Sequence, residues 1–82
     1  MEIFEQECRK LLKSLLGVQR MERLPGDTPL MESGMDSLEL LEFRALIERK
    51  FGIKLKSTFF FSYKTLIAVA EYLSEREDIN FS

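Results

Sequence analysis

The sequence predicts an all-α fold. Residues 2–16 and 37–51 each repeat apolar side chains at helical spacing, and a third such segment follows Thr65, with Leu66, Val69, Ala70 and Leu73 at i, i+3, i+4 and i+7. The one stretch that alternates like a strand, Ile53-Lys54-Leu55-Lys56, has no second strand to pair with and reads as extended loop.

Each element carries its own start and stop signals. The first helix sets Phe4, Cys8, Leu11, Leu12 and Leu15 at helical spacing, with Glu2, Glu5 and Glu7 early and Arg9, Lys10 and Lys13 late. That order complements the helix dipole, and Gly17 stands where a C′ residue would end the helix. Residues 18–36 then form a long connection with Pro25, Gly26, Asp27, Pro29 and Gly34 as turn residues. A connection beyond about 12–15 residues in a small domain is usually functional or disordered. Leu24, Leu30 and Met31 are expected to pin this one to the core, so that it spans the bundle and delivers Ser37 to the tip of the next helix.

That helix runs from Ser37 to Phe51, with Gly52 as its C′ residue and Leu40, Phe43, Ile47 and Phe51 as its core stripe. Phe59, Phe60 and Phe61 form an aromatic knot, read as core filling around one short helical turn. Thr65 is the N-cap of the last helix, and the polar residues beyond Glu75 are expected to fray.

Composition narrows the function. The 82 residues suit one domain, with a core at about 2–76 and a polar tail at 77–82. A formal charge of −2 and no basic-aromatic stripe argue against nucleic acid; an acidic patch suits a basic protein partner. The single cysteine, Cys8, excludes an intrachain disulfide and falls on an apolar helix face, where it is expected in the core. No apolar run is long enough to span a bilayer and no signal-peptide pattern is present, so a soluble protein is expected, with a cytoplasmic location as the default; as an isolated domain it is expected to be monomeric. The absence of histidine removes the commonest general base and metal ligand, and with one cysteine no N/S metal set remains. A serine nucleophile would lack an evident base, so catalysis by this chain alone is not expected.

Ser37 is the residue of most interest. In Asp36-Ser37-Leu38-Glu39, a capping box places Asp36 at N-cap and Glu39 at N3, with Met35 and Leu40 as the flanking staple. Asp36 then caps the helix and leaves the Ser37 hydroxyl free at the first helical position, where backbone N–H groups and the dipole favour a phosphate. Ser and Asp are also ordinary helix-start residues, so the motif alone has a purely structural reading. On the wheel, Leu38, Leu41 and Ala45 lie nearly opposite the core stripe, flanked by Glu39, Glu42 and Glu48. They form either a docking surface edged with carboxylates or a face covered by the long loop. Lys50, Lys54, Lys56 and Lys64, clustered from the end of this helix onward, either steer a partner or form a solvated basic face, and the solvated face is the preferred reading.

Gly34-Met35-Asp36-Ser37-Leu38, followed by Glu42-Phe43-Arg44, Phe51-Gly52-Ile53 and Phe61-Ser62-Tyr63-Lys64-Thr65, resembles acyl carrier proteins, especially carrier domains of modular polyketide synthases. The resemblance covers nearly the whole chain. It implies a four-helix bundle with a short third helix, in which Ser37 carries 4′-phosphopantetheine attached by a phosphopantetheinyl transferase from coenzyme A. The thiol of that arm would hold acyl or polyketide intermediates as thioesters for acyltransferase, ketosynthase and other synthase enzymes. By the same resemblance Asp36 assists the modification, and Leu38, Glu39, Leu41, Glu42, Ala45 and Glu48 form the partner-docking surface.

Departures from the family pattern are Ser62 in place of a frequent Asp, Lys56 and Lys64 in place of prolines, and Phe43 and Phe59 in place of Leu. Peptidyl carrier domains of nonribosomal synthetases share the fold and arm, but more often have a second glycine where Met35 stands, so the polyketide or fatty-acid type is preferred. The alternative class is a helical interaction module with no covalent cofactor, in which Leu38 and Leu41 bind a partner directly.

Overall fold

The three long helices form where the apolar periodicity places them, and a computed structural model describes residues 2–79. Among the described residues these are α1 (Glu2–Leu16), α2 (Val18–Glu22), α3 (Ser37–Phe51), α4 (Phe59–Ser62) and α5 (Leu66–Glu75). α1 packs against α2, α3 and α5. The core lies between the long helices, where Cys8, Leu12, Phe43, Ile47, Phe51, Leu66, Val69 and Leu73 are fully excluded from solvent.

The expected boundaries of the long helices hold. Gly52 ends α3 in the left-handed region at φ 65°, ψ 35°, and its N–H donates to the Glu48 carbonyl. Thr65 caps α5, its hydroxyl accepting from the Ala68 N–H at 3.0 Å. Thr65→Ala is expected to cost about 1 kcal/mol, read as a lower urea midpoint at unchanged slope. Burial holds the Cys8 thiol up to about 12, so it behaves as a small apolar core residue.

Four expectations need correction. First, the connection between the first two long helices is not all loop. Gly17, at φ 90°, breaks the chain direction after α1, and α2 follows at once, so the bundle has two short helices instead of one. Five residues are too few for periodicity to reveal, and α2 buries no residue fully; Met21 packs partly against the core.

Second, Leu24 and Leu30 anchor the connection but Met31 does not; it is 56% exposed. The Leu30 N–H donates to the Lys64 carbonyl at 2.8 Å, beside a bridge between Pro29 and Thr65. That pairing turns Leu30 inward and leaves the next side chain outside. Third, the aromatic knot is only partly core. Phe59 is buried and Phe60 half-buried, whereas Phe61 is 72% exposed, because successive residues of a helical turn diverge by about 100°. Fourth, the chain beyond Glu75 is held where it is described. Arg76 pairs with Asp78 and donates to the Tyr72 hydroxyl, and Ile79 packs partly against the core. The rest of the expected tail, residues 80–82, lies outside the described residues.

Candidate functional site

The capping box at the start of α3 is complete. The Glu39 N–H donates to Asp36 Oδ1 at 2.8 Å, and the Asp36 N–H donates to Glu39 Oε1 at 3.2 Å. Met35 and Leu40, the expected staple, are both buried. Asp36 does the capping, so Ser37 is exposed at the first helical position and its hydroxyl makes no hydrogen bond to another described residue. Gly34, at φ 98°, supplies the sharp turn that brings the chain out of the long connection to this point.

A residue that the sequence did not single out completes the arrangement. Arg20, on α2, donates to both oxygens of Glu39, at 2.7 and 3.0 Å, and to the Gly34 carbonyl at 3.2 Å. It thus ties the turn and the capping box together. Its hydrogen bond to Arg20 lowers the Glu39 pKa, and the same bond raises that of Arg20. No sequence signal pointed to Arg20, because its reach depends on α2 and on the chain returning to it 19 residues later.

Arg20→Ala is expected to leave the fold intact and to speed amide exchange at residues 34–39. A carboxylate with a depressed pKa contributes stability above its ordinary range and loses it as pH falls through the lowered value. The stability difference between parent and variant should therefore be fully present above about pH 4.5 and be lost as the pH falls through the lowered Glu39 value, measured by urea unfolding across pH.

The expected docking set divides. Leu38 is 62% and Leu41 52% exposed, and Glu42 and Ala45 are exposed beside them. The long connection therefore does not cover this face. Glu48 differs: its carboxylate accepts from the Leu55 N–H at 2.7 Å, while Arg44, one turn earlier, donates to the Leu55 carbonyl at 3.0 Å. That i, i+4 pair holds both backbone groups of Leu55, and Glu48 is half-buried by doing so. Glu39 is likewise engaged by Arg20. Lys50, expected on a solvated basic face, is half-buried and pairs with Glu7 at 3.5 Å. Lys54, Lys56 and Lys64 are exposed.

Beside Ser37 lies a largely apolar cavity of about 180 Å³, lined by Met31, Leu40, Ser57, Phe60 and Phe61. An exposed, uncommitted hydroxyl on the first turn of a 15-residue helix is a fit site for a phosphate-linked group, since unpaired N–H groups and the dipole favour the anion there.

Comparison with known proteins identifies the family. A family model described as "Phosphopantetheine attachment site" matches residues 6–73. The chain belongs to this phosphopantetheine-attachment family. The carrier is 35% identical over 72 residues to a phenolphthiocerol/phthiocerol polyketide synthase of Mycobacterium tuberculosis, a match covering 88% of the chain and 4% of that protein. It is 34% identical over 74 residues to polyketide synthase PksN of Bacillus subtilis, covering 90% of the chain and 1% of that protein. To the siderophore peptide synthetase fer3 of Mycosarcoma maydis it is 30% identical over 73 residues, covering 89% and 2%. The carrier thus spans only a few per cent of these curated relatives.

A crystal structure of a free-standing peptidyl carrier protein from an uncharacterized Acinetobacter baumannii secondary metabolic pathway superposes with a TM-score of 0.75. Identity is 27%, covering 87% of this chain and 88% of that one. The family's cofactor is 4′-phosphopantetheine, and carrier domains of this kind tether intermediates for synthase enzymes. Among the described residues no helix is long and apolar enough to cross a membrane.

Proposed function

We propose that Ser37 is the attachment residue and that the chain, taken as one carrier domain over residues 1–82, presents acyl or polyketide intermediates to synthase enzymes. The single observation that carries this reading is the division of labour at α3: Asp36 caps the helix, leaving the Ser37 hydroxyl exposed and uncommitted. Loading by a phosphopantetheinyl transferase would join the Ser37 oxygen, its proton lost, to the phosphorus of the 4′-phosphopantetheine moiety of coenzyme A, breaking the pyrophosphate P–O bond and releasing 3′,5′-ADP. When bound, the arm supplies a terminal thiol that holds the acyl group as a thioester.

The chain's own residues present and dock. Arg20 and the capping box hold the turn before Ser37, and the α3 dipole favours the phosphodiester at its N-terminus. Asp36, adjacent to Ser37, assists the modification. Leu38, Leu41, Glu42 and Ala45 offer an exposed apolar surface with a carboxylate for the transferase, acyltransferase and ketosynthase; Glu39 and Glu48 contribute at its edges while held by Arg20 and Leu55. Electrostatic docking of a small acidic domain gives fast, salt-sensitive, reversible association, which suits transfer between enzymes in a cytoplasmic synthase. We read the carrier as non-catalytic, because the sequence has no histidine and, among the described residues, no base is hydrogen-bonded to Ser37.

Polyketide synthase relatives and Met35 before Asp36 favour the polyketide type. The peptidyl carrier reading is supported by the peptide synthetase relative and the Acinetobacter structure. Intact mass after incubation with coenzyme A, magnesium and a promiscuous transferase tests the carrier reading. One added phosphopantetheine supports it; none on a folded, previously unmodified sample overturns it in favour of a non-covalent helical interaction module.

A further inference from the structure

The loop after α3, α4 and α5 enclose a second cavity of about 310 Å³, lined by Lys54, Lys56, Thr58, Ser62, Tyr63 and Tyr72. It shares no residue with the cavity beside Ser37. Its wall is aromatic: the rings of Phe59, Tyr63 and Tyr72 lie 4.6 to 5.1 Å apart, centroid to centroid. Its rim is cationic. Lys54 and Lys56 are exposed, and neither forms an ion pair among the described residues. Arg76 beside it differs, being paired with Asp78 and hydrogen-bonded to the Tyr72 hydroxyl.

The hydroxyls of Thr58, Ser62 and Tyr63 have no hydrogen-bond partner among the described residues, and no carboxylate lines the cavity. Two uncompensated ammonium groups, three unused hydroxyl donors and an aromatic wall therefore converge on one concave surface. Such a set satisfies a carboxylate, which accepts several hydrogen bonds at once, and the wall accommodates the apolar carbons next to it.

We propose that this cavity takes a carboxylate side chain from an acidic segment of a partner protein. Because the lysines stand open to solvent, a free small molecule would be left only partly enclosed, short of the burial that small-ligand sites provide. A nucleic acid would meet a chain of net charge −2 with no basic stripe along which to run its phosphates. An acidic peptide needs only a local pair of cations and supplies its own backbone to cover the rim. The sign of this contact is opposite to that of Glu42 on α3, so one carrier can hold a basic cleft and an acidic segment at the same time. Two weak contacts joined in this way raise residence without a tight site. The inference stands whether or not Ser37 carries an arm.

The test is a titration of the isotopically labelled chain with a blocked hexaglutamate peptide, followed by backbone amide shifts. Saturable shifts confined to residues 54–63 and 72, weakening from low to physiological salt, are expected. Lys54→Glu with Lys56→Glu should weaken binding at least about tenfold while the thermal midpoint stays close to the parent's, since both side chains are exposed. Three results overturn the proposal: no saturable shift at low salt, unchanged affinity in the double variant, or equal binding by inorganic phosphate or oligothymidylate.

Discussion

Ser37→Ala is expected to abolish loading outright. After incubation with coenzyme A, magnesium and a transferase, the parent gains one phosphopantetheine and the variant keeps its starting mass. The effect is all-or-none because the substitution removes the only atom that forms the bond. It should leave stability within about 0.5 kcal/mol, since Asp36 keeps the cap and alanine is the best helix former at an exposed position. No other described serine shares this placement: Ser14 lies inside α1, Ser33 and Ser74 donate to backbone carbonyls, and Ser57 and Ser62 lie outside the starts of the long helices. Full loading of the variant would show that the arm sits elsewhere.

Phe43→Ala should have the largest effect on stability. Phe43 is fully buried, stacks on Phe60 at 5.6 Å between ring centroids and belongs to the contiguous core with Ile47, Phe51 and Leu66. Truncating such a ring costs about 3–5 kcal/mol, the transfer loss plus the cavity left behind. A domain of this length has roughly 4–12 kcal/mol in total, so the loss removes from about a quarter of its stability to all of it. Urea unfolding of the parent and variant, with Phe43→Leu as a control expected to lose about 1 kcal/mol, measures it. A variant with the parent's midpoint would mean that the ring does not fill the core.

Much of the fold was legible because its rules are local. The stripe of Leu40, Phe43, Ile47 and Phe51, the Asp36 box, the Gly52 stop and the Thr65 cap are each contained within a few residues, and each forms as read. What escaped was either too short or set by residues far apart. α2 has too few residues to show a period. Arg20 reaches Glu39 and Gly34 only after the long connection has closed. Glu48 and Lys50 look alike in sequence to their exposed neighbours, yet Leu55 and Glu7 draw them in.

The candidate site divides along the same line. Sequence alone determined that a serine stands behind a capping aspartate at the start of an amphipathic helix, since helix caps and helical faces are decided by spacing along the chain. Only the tertiary structure decided which of the surrounding charges remain available. Leu38, Leu41 and Glu42 stay at the surface, whereas Glu39 and Glu48 are taken by donors from other elements. The reason is physical: a side chain's partner is set by which backbone donors and cations the folded chain brings within hydrogen-bond reach, and sequence separation carries no information about that distance.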